Sequence, residues 1–149
     1  MKIAVIGGGI FGITTAIILG KNNDVELFEK NDDILKSASG SNQYRVHRGY
    51  HYPRSPETVT GIIKSENSFK ELFSEAIATN FQHFYCISKN NSLTSSQQFI
   101  EFCKKYELEI EEDTLDCVNK NSIDLCVRVK ESVYDPKILK KISINLLCL

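Results

Sequence analysis

The feature that most constrains this chain is the glycine turn in "KIAVIGGGIFGITTAIILGKNNDVELFEK", residues 2–30. Residues 2–6 predict a short strand, and their near-continuous apolar run reads as a strand covered on both faces. Residues 10–20 predict a helix with Gly20 as its stop, and residues 25–29 a second strand. Gly7, Gly9 and Gly12 then satisfy G-x-G-x-x-G inside a strand–turn–helix–strand unit. Glu29 lies about 20 residues beyond the first glycine, where that pattern places an acid. Each position has a physical task. Gly7 permits the tight turn, Gly9 lets a pyrophosphate approach bare backbone, and Gly12 lets the helix pack closely on the strand. The helix start, with Ile10 and Phe11, offers free N–H groups and the positive end of a dipole to phosphate. Glu29, followed by Lys30, can accept hydrogen bonds from an adenosine ribose and would repel a 2′-phosphate. The expected ligand is FAD or NAD rather than NADP.

Two other readings of the same segment are weaker. Lys2 and the apolar run to Leu19 imitate a signal peptide, but glycines interrupt the run and no small-residue cleavage site follows. As a membrane span it is marginal in length, and the glycine cluster marks a turn. The formal charge of -1 over 149 residues gives no basic field for nucleic acid or an anionic membrane. The five cysteines are odd in number and form no C-x-x-C. That argues against a zinc site or a disulfide framework and fits reduced, idle thiols in a cytoplasm; no metal site is expected.

Further along, Ser55 and Pro56 predict a helix cap and first residue, with Val59, Ile62, Ile63, Phe69, Leu72, Phe73 and Ile77 at roughly helical spacing. Residues 81–88 look like a strand. Thr94 and Gln97 fit a capping box for a helix over about 95–106. Residues 108–112, 115–118 and 123–129 look strand-like, with a turn at 119–121. Asp135-Pro136 opens a last helix.

The tract "SASGSNQYRVHRGYHYPRS", residues 37–55, gathers Arg45, His47, Arg48, His51 and Arg54 with no acid, interleaved with Tyr44, Tyr50 and Tyr52. Its chemistry admits a cationic aromatic loop for single-stranded nucleic acid, a loop folded over the far end of a bound dinucleotide, or a solvated loop. The cofactor reading fits best, because a ligand on the glycine turn extends toward the carboxyl ends of the strands, where this loop emerges. His83, in an apolar strand, reads as structural.

Here the chain resembles a known family. "IAVIGGGIFG" with "VELFEK" is similar to the start of FAD-dependent oxidoreductases of the D-amino acid oxidase type. "SNQYRVHRGYHYPRS" resembles the loop that follows, and relatives that oxidise hydroxy acids carry an Asn and then a His-x-Gly, matched by Asn42, His47 and Gly49. "VRVKESVYDPKILKKI" resembles the stretch that returns to the cofactor domain. The resemblance implies an α/β fold: an incomplete Rossmann-like FAD-binding domain with the beginning of an inserted substrate-binding α+β domain. The first part of the FAD-binding domain would take residues 1–80, the start of the substrate domain 81–130, and the return helix 131–149. It implies a flavoprotein that oxidises an amine, amino acid or hydroxy acid with hydride passing to the flavin. Ser41, Asn42, Arg45 and His47 join the glycines and Glu29 as cofactor residues. Arg45 and His47 are the candidates for tuning the ring, and His47 or His51 for a covalent tether.

Nothing after residue 30 resembles a buried parallel strand that could sit beside the first. Family enzymes are more than twice this length. The expectation is therefore an amino-terminal fragment, with a complementary chain as one source of the rest. The competing functions are a nucleotide-binding module without turnover and, third, an NAD-dependent oxidoreductase.

Overall fold

A computed structural model describes residues 1–148; the last residue of the expected return segment, Leu149, lies outside the described residues. The chain divides into two compact units. The first takes residues 1–45, 75–77 and 134–149; the second takes 46–74 and 78–133. The helix after Pro56 therefore belongs to the second unit, whereas the sequence ranges group it with the first.

In the first unit, β1 (Lys2–Ile6), α1 (Ile10–Gly20) and β2 (Asp24–Phe28) form the expected strand–helix–strand unit. β1 and β2 are parallel, with Ile3 opposite Val25 and Val5 opposite Leu27. α1 packs on both strands and on α4 (Pro136–Leu147). Buried Ile13, Ala16 and Ile17 supply its inner face, and Leu139 is buried on α4. Asp135 caps α4: its Oδ1 accepts from the N–H groups of Lys137 (2.8 Å) and Ile138 (3.1 Å). Lys140 on α4 hydrogen-bonds Asp33, and this bond holds the Asp33 carboxyl below its ordinary range.

β1 departs from the sequence reading. It is not covered on both faces: its residues alternate exposed and half-buried. Among the described residues its sheet contains β2 alone, so Val5 faces the helix while Ile6 stays 79% exposed.

In the second unit, β5 (His83–Ser88), β7 (Ile123–Val129) and β6 (Ile110–Glu112) form an antiparallel sheet in the order β5–β7–β6. α3 (Ser96–Lys105) contributes Phe99, Phe102 and Cys103 to a continuous core with Leu125, Val127 and Val129 of β7 and with Tyr50, Val59 and Leu108. Tyr50 is fully buried yet satisfied, its hydroxyl donating to the Glu109 carbonyl (2.7 Å). α2 (Pro56–Phe73) completes the unit. The chain changes unit within three short strands, β3 (Arg45–Val46), β4 (Ile77–Ala78) and β8 (Ser132–Tyr134), and also between Ser74 and Glu75.

Four local expectations shift. α3 has a capping box, but one residue later: Ser95 Oγ accepts from Gln98 N–H (3.2 Å) and Gln98 Oε1 from Ser95 N–H (2.9 Å). Thr94 is buried, with its carbonyl accepting from Ser92, so the exposed Ser95 takes the cap. Residues 115–118 form a turn, not a strand: the Asp113 N–H bonds to the Cys126 carbonyl, and the chain then bends, with Val118 N–H donating to Leu115. Ser55 stands at the cap position of α2 but makes no side-chain cap bond; its hydroxyl pairs with Thr58 Oγ1 (2.7 Å). Ile77 falls on β4, because the helix ends at Phe73.

Candidate functional site

Gly7 ends β1 with φ +109, a conformation that side chains rarely adopt. Its N–H donates to the Phe28 carbonyl (2.7 Å), which closes the turn onto β2. At Gly12 a Cβ would collide with the Gly7 carbonyl oxygen, so helix and turn approach as closely as a bare α-carbon allows. Gly9 differs. A Cβ there would stand 3.5 Å from Ser39 Oγ, an ordinary contact, so the fold itself does not demand glycine. Gly9 is the cap residue of α1 and offers no side chain to its open N–H groups. Ile10 N–H donates to Ser39 Oγ (3.1 Å), and Phe11, at the outer edge of the same turn, is 88% exposed.

Glu29 lies just past β2, beside the turn. One carboxylate oxygen accepts from Gly8 N–H (2.5 Å), the other from the N–H (2.9 Å) and side-chain amide (2.6 Å) of Asn31. The backbone bonds from Asn31 and then Gly8 hold its carboxyl below the ordinary value, so it is anionic at neutral pH. Lys30, next in the chain, is exposed.

The loop from 31 to 44 returns to the same turn. Leu35 N–H donates to the Gly8 carbonyl (2.8 Å), and Ser39 reaches Ile10. Ser41, the serine singled out in the sequence, is exposed and donates to the Ser37 carbonyl instead. Asn42 accepts from Tyr44 N–H (2.7 Å) and the Tyr134 hydroxyl (3.1 Å), so it shapes the loop. Thus the first unit brings Gly7, Gly9, Ile10, Phe11, Gly12 and Glu29 together at one turn, whereas Ser41 bonds within its own loop and Asn42 bonds within it and to Tyr134. Arg45 closes the loop on β3, half-buried. Ser39 and the Gly8 N–H were missed. Four serines lie between 37 and 55, and spacing alone does not tell them apart.

His47 lies in the second unit. It stacks on His51 (ring centroids 5.4 Å apart) and meets Tyr52 edge-on. Its Nδ1 stands 3.6 Å from a carboxylate oxygen of Glu131, whose side chain is fully buried. The same carboxylate accepts from Arg48 N–H (3.1 Å) and the Tyr85 hydroxyl (3.2 Å). Arg48 also pairs with Glu66 (3.1 Å). Burial would raise the Glu66 carboxyl, but Lys70 and Arg48 outweigh it and hold it low. The acid-free tract is thus met by acids distant in sequence. Beyond it, His51, Tyr52 and Arg54 line an open cleft of about 570 Å3 with Tyr50, Tyr85 and Phe99. Glu131 had no sequence signal, since an isolated acid beside a strand reads as surface.

Comparison with known proteins gives consistent findings. The family model described as FAD dependent oxidoreductase, DAO, matches residues 2–125. The FAD-dependent monooxygenase FPY4 of Fusarium mangiferae is 28% identical over 133 residues, covering 89% of this chain and 36% of that protein. The FAD-dependent monooxygenase kojA of Aspergillus flavus is 30% identical over 109 residues, 69% of this chain and 26% of that protein. Among solved structures, L-proline dehydrogenase from P. horikoshii superposes with a TM-score of 0.75 at 16% identity, over 99% of this chain and 41% of that one. Glycine oxidase from Geobacillus kaustophilus gives 0.74 at 13% identity, over 98% and 44%. The chain therefore spans less than half the length of each of these proteins. Among the described residues, no helix is long and apolar enough to cross a membrane.

Proposed function

Because the chain belongs to the FAD-dependent oxidoreductases of the DAO family, we propose that its first unit holds the adenosine diphosphate half of FAD. We further propose that the protein takes part in oxidising a small amine, amino acid or hydroxy acid in the cytoplasm. FAD is the cofactor of the family, and when bound it supplies a two-electron acceptor for hydride. The residues present fit such a group. The first turn of α1 offers backbone N–H groups behind a glycine that the fold does not itself need, a cradle for diphosphate. Glu29, anionic and anchored to Gly8 and Asn31, is placed to accept from ribose hydroxyls. Lys30, Ser41 and Asn42 are secondary candidates along the same ligand. Arg45 and His47 are the candidates for stabilising negative charge on the reduced ring.

One observation carries this reading: the packing at Gly9 would admit a Cβ, and glycine there leaves the backbone open to the approach of a ligand. The test is FAD titration of the full chain, followed by flavin absorbance and fluorescence, with folding monitored by circular dichroism. Gly9→Ala is expected to stay folded and lose FAD. Glu29→Gln, which keeps an acceptor toward Gly8 but loses the charge, is expected to bind about 10-fold or more weakly, the size of one charge-assisted hydrogen bond. Folded variants that bind FAD like the parent would refute the site. Bleaching of the bound flavin by an amino or hydroxy acid without oxygen is expected of an oxidoreductase. Binding without bleaching by any of them would identify the module without turnover.

A further inference from the structure

Cys86 on β5 and Cys126 on β7 are direct partners in the antiparallel register, between the pairs Tyr85–Val127 and Ile87–Leu125. Facing residues in such a ladder hold their α-carbons roughly 4.5–5.5 Å apart, inside the roughly 4.4–6.8 Å that a disulfide spans. Their side chains leave the same face of the sheet. That face is opposite the one on which Leu125, Val127 and Val129 are buried, and both cysteines are half-buried. The two sulfurs lie 3.1 Å apart, the Cys86 thiol donating to Cys126. Cys126 also lines an open cleft of about 360 Å3 with Asp113, Leu115 and Asp124, so the pair is not sealed inside the core. The other cysteines lack this setting. Cys103 is buried in the core and its thiol is pushed up to about 12 by burial, while Cys117 and Cys148 are exposed.

We propose that Cys86 and Cys126 form a dithiol that a low-molecular-weight disulfide oxidises to an intramolecular disulfide across β5 and β7. The inference is independent of the cofactor site. Only a thiolate attacks. Burial above all pushes the Cys126 thiol up to about 11. On this route Cys86 attacks first. Its thiolate forms a bond to one sulfur of the reagent, the reagent's S–S bond breaks, and one small thiolate leaves and takes up a proton. The Cys126 thiolate attacks the Cys86 sulfur and expels the second small thiolate. The two protein sulfurs together lose two electrons and two protons; the reagent gains both and ends as two thiols.

The test treats the full chain with oxidised glutathione in native buffer, quenches with acid, alkylates free thiols, digests without reduction and maps cysteine peptides by mass spectrometry. The expected product is a peptide pair joined through Cys86 and Cys126, absent after dithiothreitol. Cys126→Ser is expected to trap glutathione on Cys86, and Cys86→Ser to leave Cys126 free under the same conditions. Glutathione remaining on Cys86 of the unmodified chain without a cross-link would overturn the proposal. So would a cross-link from Cys126 to Cys117 instead, or one formed only in urea. The unmodified chain answers the main question by itself, so a variant that misfolds does not leave it open.

Discussion

In the first unit the chemistry is carried by backbone. Gly7 turns through a positive φ, Gly8 gives its N–H to Glu29, and Gly9 caps α1 with no side chain of its own. In the second unit it is carried by buried side chains. Phe99, Phe102, Leu125, Val127 and Val129 close one face of the β5–β7–β6 sheet, and Glu131 gathers His47, Arg48 and Tyr85 around a single carboxylate. The two also differ in enclosure. The first unit leaves Ile6, Phe11 and half of Phe28 in solvent, while the second, though it exposes Leu93 and Phe81, closes around a continuous core. Since stabilisation follows the apolar area removed from water, the unit that bears the recognisable motif is not the unit best able to hold itself together.

The strongest way to break that comparison is Phe99→Ala. Phe99 is 1% exposed at the centre of the second core, and its loss is expected to cost about 3–5 kcal/mol. Urea unfolding measures the cost, and amide hydrogen exchange locates it. Exchange is expected to speed up in β5, β7 and α3 while α1 keeps its protection. Equal loosening of α1 would show that the units are not separately stabilised. Next in size is Gly12→Ala. The added Cβ meets the Gly7 carbonyl, backbone against side chain with nothing flexible to yield, and overpacking of this kind costs about 1–3 kcal/mol. Here the exchange pattern is expected to invert, with β1 and α1 loosened and α3 protected.

The same contrast explains what the sequence made legible. β1, α1 and the end of the turn could be placed to the residue because glycine positions act locally: a positive φ at Gly7 and a close approach at Gly12 are properties of a few consecutive residues. Asp135-Pro136 was readable for the same reason, since cap and fixed φ act within one turn. The capping box of α3 was displaced by one residue because two overlapping pairs satisfy its spacing, and tertiary burial of Thr94 decides between them. Residues 115–118 have apolar ends but no partner strand, and pairing is not a local property. Glu131, Ser39 and the Cys86–Cys126 pair depend on residues far apart in the chain, so no window of sequence contains them.

A smaller effect sharpens the account of the first unit. Asp135→Ala removes the acceptor for two N–H groups at the start of α4, and loss of such a cap costs about 1 kcal/mol. Thermal unfolding with exchange readout is expected to show α4 fraying first, together with weaker protection on α1, on which it packs. If α1 does not respond, α4 contributes little to the unit that carries the glycine turn.

The smallest expected effect bears on the most exposed apolar positions. Ile6→Thr keeps a β-branched side chain, so strand preference is nearly unchanged, while apolar surface is removed from a residue 79% exposed. A residue in that environment is expected to contribute under about 0.5 kcal/mol, the usual range for surface substitutions. Phe11→Ser, at 88% exposure, is expected to behave alike in unfolding while leaving α1 intact. Both are read by urea denaturation of dilute protein. A loss of about 2 kcal/mol at either position is the size of a buried side chain, and would mean that in solution something covers the open side of β1 or the start of α1. That result would erase the difference in enclosure between the units, and a dependence of the loss on protein concentration would identify the cover as a second copy of the chain.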